Sequence, residues 1–173
     1  MTTTSASWPP DLSETLALAG FSAAHALWSV EDCDVLIPFV AEEFPSGQRN
    51  LLRFQDDDNI KAVARARTHL AAHASGASRA VLLFDGYITL SDGKTDGLFI
   101  ETHVVGPLAS SLHVVVPYRN AAAPGGLAVF RPKFLSLPPG APDAAALAQA
   151  FFSGVDQHEA GAAFWNQHLD QSR

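Results

Sequence analysis

The sequence predicts an α+β fold: an antiparallel sheet, made of a hairpin plus a four-stranded meander, with helices packed mainly on one face. Three observations carry that expectation. Four runs rich in β-branched and aromatic residues follow one another at 80–90 (AVLLFDGYITL), 98–105 (LFIETHVV), 112–118 (LHVVVPY) and 127–131 (LAVFR). Asp92-Gly93, Gly106-Pro107 and Pro124-Gly125-Gly126 punctuate them as turns. The full order of helix, hairpin, helix, meander, helix, helix is that of a sheet with helices covering one face.

Residues 1–10 read as a flexible tail, and 11–173 as a single domain. Asp11-Leu12-Ser13-Glu14 has the form of a capping box, with Asp11 accepting from backbone amides and Glu14 reaching back. A helix then runs to about Val30. Its apolar stripe is Leu12, Leu16, Ala19, Ala23 and Leu27, and Gly20 is a point at which it breaks or kinks. Next, 35–44 (VLIPFVAEEF) and 49–55 (RNLLRFQ) flank the turn tripeptide Pro45-Ser46-Gly47. Pro38 has no N–H for a ladder, so its strand sits at a sheet edge or begins late.

Asp56-Asp57-Asp58 opens a second helix to about Ser75, because carboxylates complement the positive end of the helix dipole and cap free amides. Ile60, Val63, Ala66 or Arg67, and Leu70 form its buried stripe. After the meander, RPKFLSLPPGAP reads as a proline-rich connector. Pro142 suits the first turn of a helix over 142–153, with Leu147 and Phe151 on one face and Gly154 as its stop. Asp156 and Glu159 give a second capping-box pattern for a last helix over 156–169.

Composition narrows the class of function. A chain of 173 residues buries enough surface to need no disulfide or metal staple. Charged residues make up 17% of it, below the usual quarter or so, which favours self-association or a protein partner. A net charge of −7 opposes any general grip on phosphate backbones, so no nucleic acid is expected. The single cysteine, Cys33, cannot form an internal disulfide and suits a reducing compartment. MTTTSASWPP lacks the basic start and apolar core of a secretory signal, and no apolar run approaches the ~20 residues of a membrane helix. A cytoplasmic protein without a membrane partner is the expectation.

The element order, together with the runs Asp85-Gly86-Tyr87-Ile88-Thr89 and Thr95-Asp96 to Glu101, resembles a group of small bacterial α+β proteins. The resemblance covers roughly residues 35–134. No activity is known for that group, so it implies no functional residue here.

Several motifs are approached and missed. Gly93-Lys94-Thr95 looks like the end of a phosphate loop, but Ile88 stands where the first glycine belongs and a strand follows instead of a helix. Asp92 to Gly97 echoes a calcium loop, yet Lys94 fills an oxygen-ligand position and His103 that of the bidentate glutamate. Gly76-Ala77-Ser78-Arg79-Ala80 is one glycine short of a nucleophile elbow and precedes its strand. His158-Glu159 has Ala162 where a zinc-protease helix has its second histidine.

One constellation remains. Placing Leu82, Phe84, Ile88 and Leu90 on one face with Leu98, Ile100 and Val104 calls for an odd-length loop around 92–96. A five-residue loop sets Asp85 opposite His103 and Tyr87 opposite Glu101, and similar alignment at 106–110 sets His103 opposite His113. Asp85, His103 and His113 then form one row across three strands, suited to a divalent metal or to acid–base work. Tyr87 and Glu101 stand in the next row as ligand-binding candidates. The competing reading is a solvated sheet face whose Asp and His share hydrogen bonds.

Lys61, Arg65, His69 and His73 line one face of the second helix, either as a basic stripe toward an acidic partner or as a solvated surface. Trp8, Trp28 and Trp165 read as core or subunit-contact residues. Phe84, Ile88 and Ile100 could line a pocket under the helices. The function expected from all this is a small cytoplasmic binding or interaction module that self-associates through a sheet edge, such as 35–44, or its terminal helices. The alternative is a metal-dependent enzyme or ligand-binding protein using the Asp/His/His row. No cofactor is indicated by a motif.

Overall fold

A computed structural model describes residues 10–31, 35–72, 75–104, 111–137 and 141–172. The elements in chain order are α1 (Pro10–Ser29), β1 (Phe39–Glu43), β2 (Arg49–Arg53), α2 (Asn59–Ala72), β3 (Arg79–Leu90), β4 (Gly93–Val104), β5 (Ser111–Arg119), β6 (Ala128–Val129), β7 (Lys133–Ser136), α3 (Ala144–Gln157) and α4 (Glu159–His168). The strands form one seven-stranded sheet in the order β2-β1-β3-β4-β5-β6, with β7 also on β5. All strand pairs are antiparallel. The fold is α+β, as the sequence predicts. Among the described residues, no helix is long and apolar enough to cross a membrane.

Three helices cover one face and α2 covers the other. Leu12, Leu16, Ala19, Ala23 and Leu27 of α1 are all buried, and they join Val81, Leu83, Leu98, Ile100, Val114 and Val116 in the main core. On the opposite face, Ala66 and Leu70 of α2 pack on Val40, Ala80 and Leu82. Ile60, expected in that stripe, is 81% exposed, and Ala62 is buried instead.

Glycines set the closeness of the helical layer. α1 runs straight through Gly20, and α3 runs on past Gly154 to Gln157. A Cβ at Gly20 would lie 1.8 Å from the Phe151 carbonyl oxygen, and one at Gly154 would lie 1.7 Å from that of Ala17. Each glycine therefore admits the other helix's backbone, and neither acts as the break or stop expected from sequence.

The caps also differ in detail. α1 begins at Pro10, and Glu14 turns away to pair with Arg79 rather than closing a capping box. The side chain of Asp11 lies outside the described residues. Asp58 accepts from the Ile60 N–H at 2.9 Å and caps α2. Asp143 caps α3 through Ala146 N–H at 2.8 Å, with Pro142 one residue ahead of the cap. α4 is capped by His158, whose ring accepts from the Gly161 N–H, and Asp156 lies within α3.

β1 is an interior strand between β2 and β3, so the open edge belongs to β2. Pro38 has its effect by delaying the strand, which begins at Phe39. At the other end of the sheet, β7 lies within the segment expected to be a connector. β6 and β7 follow one another along β5, interrupted where Pro132 has no N–H to give.

The β3–β4 register overturns the one inferred from apolar alternation. The turn has two residues, Ser91 and Asp92, since Leu90 pairs with Gly93 and Gly93 takes a φ of 126°. Residues directly opposite share a face, so Leu83 lies with Ile100, and Leu82 with Glu101. Both faces of β3 are covered along its first half, so apolar residues fill both alternate sets and no single apolar face marks the register. Phe84 and Ile88 thus share the α2 face while Ile100 lies on the other, and the three do not line one pocket.

Candidate binding site

The five residues singled out from sequence divide between the two faces. Asp85 stands opposite Leu98, and Tyr87 opposite Asp96, on the face of α1. His103 stands opposite Ala80 and Ser111, in the other alternate set, and Glu101 stands opposite Leu82 and His113. The Asp85–His103–His113 row does not form, because the two-residue turn shifts β4 by an odd step relative to the expected loop. Among the described residues, no group of three or more His, Cys, Asp or Glu is placed to hold a metal ion.

Three of that set, Asp85, Tyr87 and Glu101, have a local partner. Tyr118 donates its hydroxyl to Asp85 at 2.8 Å. Burial raises the Asp85 pKa, the Tyr118 hydrogen bond opposes the rise, and Asp96 adds to it. Burial and the neighbouring Asp85 raise the pKa of Tyr118 in turn. Tyr87 is exposed beneath the Lys94 ammonium, 4.1 Å from the ring centre. Glu101 accepts a bifurcated hydrogen bond from Arg67 Nε–H and another from its Nη2, fixing α2 to the sheet. The basic stripe of α2 is likewise engaged: His69 bonds Glu42 at 2.8 Å and Arg65 bonds the Gln55 carbonyl at 3.2 Å. His73, Cys33 and Trp8 lie outside the described residues.

A concave part of the molecule lies elsewhere, between α1 and the β1–β2 hairpin. A hollow of about 260 Å³ is lined there by Leu18, Phe21, Ser22, His25, Ala41 and Leu51, with Arg49 and Asn50 at its rim. Leu18, Phe21, Ser22 and His25 recur at helical spacing on one flank of α1. Trp28, one turn on from His25 and 41% exposed, continues that flank. A second, open hollow of about 580 Å³ lies on the far side of Phe21, beside His158 and the start of α4.

Two histidines 133 residues apart join these hollows. His25 Nδ1 and His158 Nε2 are 3.1 Å apart, and the Gly161 N–H donates to His158 Nδ1 at 2.8 Å. The bonding pattern assigns the tautomers. With Nδ1 of His158 an acceptor, its proton is on Nε2 and is donated to His25 Nδ1, which leaves the His25 proton on Nε2. A metal ion between the rings would require that His158 proton to leave, so the chain of donors favours a hydrogen-bonded pair. Phe21 and Trp28 pack against the His158 ring at 5.0 and 5.7 Å.

Two polar atoms of the residues lining the hollow, Ser22 Oγ and His25 Nε2, are buried without a hydrogen-bond partner among the described residues. Ser22 itself is 2% exposed. Both atoms are closed off from solvent, so the hollow itself presents mostly apolar walls.

Burial, the His158 ring and the Arg53 guanidinium together hold the His25 pKa below the usual value of 6.5. Between that lowered value and 6.5, the unfolded chain binds a proton that the folded protein does not, so stability rises with pH across this window. The contribution is complete above about 6.5 and lost as pH falls through the folded value. Urea unfolding from pH 8 to pH 5 should therefore show the wild type weakening on acidification, with a shallower loss in His25→Phe. Parallel curves for the two proteins would count against this role for His25.

The wall opposite α1 is an open strand. Backbone bonds Phe44 N–H to Gln48 carbonyl (2.9 Å) and Phe54 N–H to Pro38 carbonyl (2.8 Å) bracket the β1–β2 ladder. Antiparallel pairs alternate between bonded and unbonded, so Asn50 and Leu52 bond β1 while Arg49, Leu51 and Arg53 turn their N–H and C=O groups outward. Those same three residues sit opposite Glu43, Ala41 and Phe39, on the face of α1. Strand and helix run alongside one another: Arg49 lies over the Phe21 ring at 4.4 Å, and Arg53 lies near enough to His25 to act on its charge. The result is a groove with one wall of backbone that none of the described residues pairs with, and the other of helix side chains.

Sequence reasoning missed His25 and the edge role of 49–53, and weighed His158 only as half of a zinc-protease motif. A usable signal existed for the helix: Phe21, Ser22, His25 and Trp28 share a flank adjacent to the apolar stripe. The pairing of His158 with His25 carried no signal, since the two are 133 residues apart. Comparison with known proteins finds no matching family model, no matching curated protein and no matching solved structure.

Proposed function

We propose that this protein is a binding module that accepts an extended polypeptide segment as an added strand along β2, beneath α1. The observation that carries the reading is the coincidence of two features at one place. The outward backbone groups of Arg49, Leu51 and Arg53 form an open sheet edge, and the side chains of those residues face the groove whose hollow lies under α1. Strand addition uses main-chain hydrogen bonds for affinity and alternate side-chain sites for selectivity. The hollow has room for an apolar side chain of the incoming segment, with Leu18, Phe21 and Leu51 around it. Leu51 and Leu52 are exposed along this edge, which an unpartnered strand normally avoids.

Leu51→Pro tests this directly. Its missing N–H faces the incoming segment and not β1, so the hairpin ladder is retained and thermal stability should change little. Peptides selected from a random octapeptide library against the wild type should bind Leu51→Pro about tenfold more weakly or worse, through a lost hydrogen bond and the steric bulk of the ring. Leu51→Ala keeps the N–H and should lose less. Failure to select any peptide, or equal binding by wild type and Leu51→Pro, would overturn the reading.

A further inference from the structure

The three residues that face the groove are not equivalent. Arg49 is engaged: its Nε donates to Glu43 at 2.7 Å, its Nη2 donates to Gln157 at 2.9 Å, and its guanidinium lies over Phe21. Arg53 is exposed and has no ion pair among the described residues. No carboxylate lines the hollow. From this, and resting on the strand-addition reading above, we infer that the segment bound here is acidic, with a carboxylate side chain opposite Arg53 and an apolar side chain opposite Leu51, two residues along.

Directly opposed residues on one face of an antiparallel pair are neighbours, and opposite charges there are favourable while like charges are not. That rule separates the acidic segment from the other two candidates. A second copy pairing edge to edge about Leu51 would set Arg49 of each chain against Arg53 of the other, and would bring together two chains of net charge −7. The chain's own first nine residues, MTTTSASWP, contain no carboxylate side chain to offer Arg53. An acidic segment from another protein meets both conditions: it offers Arg53 a carboxylate that none of the described residues gives it, and keeps an apolar residue for the hollow.

The test uses the whole protein and capped octapeptides that differ at one position. Each carries a central leucine with Glu, Gln or Lys two residues before it, and a second set places the variable residue two after it, so that both strand directions are sampled. Binding is read from the fluorescence of Trp28, with Trp28→Phe as the control. Wild type should prefer Glu to Gln by about two- to fivefold, the value of one exposed ion pair, and should bind Lys most weakly. Arg53→Glu should invert that order, and about 0.5 M salt should flatten it. Peptides bound equally whatever the charge, yet lost in Leu51→Pro, would overturn the acidic partner and leave the groove standing. Binding that is indifferent to Leu51→Pro would remove the groove itself, and this inference with it.

Discussion

Gly20→Ala should destabilise the protein by about 3 kcal/mol or more, although alanine is the better helix former by roughly 1 kcal/mol. The sign is decided by space. The added Cβ would lie 1.8 Å from the Phe151 carbonyl oxygen, 2.8 Å from its carbon and 3.1 Å from the Val155 nitrogen. All three are backbone atoms of α3, so no side chain can swing aside. The helices would have to part by about an ångström, opening the contacts of Leu147, Phe151 and Val155 with the core that α1 shares. Gly154→Ala meets Ala17 in the same way and should match it. Gly47→Ala, at a φ of 83° with nothing within 4 Å of the new methyl, should cost only the strain of its backbone, about 1 kcal/mol. Urea unfolding of the three variants checks the order; a Gly20→Ala protein as stable as wild type would show that the helical layer is looser than described.

Trp165→Ala should cost about 3–5 kcal/mol, a large share of the 5–15 kcal/mol typical of a domain's stability. Trp165 is fully buried and lies edge-on to both Phe151 and Phe152, with ring centres 6.0 and 5.8 Å away. It therefore joins α4 to α3, and its loss leaves a cavity that fixed helices cannot close. Trp165→Phe is the informative companion. The indole Nε1 is buried with no hydrogen-bond partner among the described residues, so the change removes an unsatisfied donor along with some volume. It should cost less than half as much as the alanine change. Equal losses for the two would mean that the N–H has a role in stability that its surroundings do not suggest.

How much of this was legible in the sequence follows from which signals are local. The α1 stripe from Leu12 to Leu27 and the strands of the meander were readable because periodicity and turn residues are properties of neighbouring residues. The β3–β4 register was not. Val81, Leu82, Leu83 and Phe84 are apolar on both alternate sets, since α1 and α2 cover opposite faces, and two registers then satisfy the same pattern. The Asp85, His103, His113 row depended on choosing between them. β7 was hidden by Pro132 and the prolines beyond it, which mark a connector in sequence while Lys133, Phe134 and Ser136 between them still pair with β5.

The groove was half visible. RNLLR reads as a strand, but which strand of the hairpin takes the edge depends on β1 pairing with β3, a contact some forty residues distant. His25 likewise looked like one polar residue near an apolar stripe until α4 brought His158 to it. The proposed groove therefore rests on long-range placement, and the residues concerned carry no catalytic signature of their own.

The most direct measurement is amide hydrogen exchange, read by NMR, on the protein alone and bound to a selected octapeptide. In the free protein, Asn50 and Leu52 should exchange slowly through their bonds to β1, and Arg49, Leu51 and Arg53 should exchange fast. Binding should slow one or more of those three outward amides, Leu51 chief among them, and leave Asn50 and Leu52 as they were. A bound peptide that protects none of the three, or that perturbs residues away from α1 and β2, would contradict strand addition at this groove.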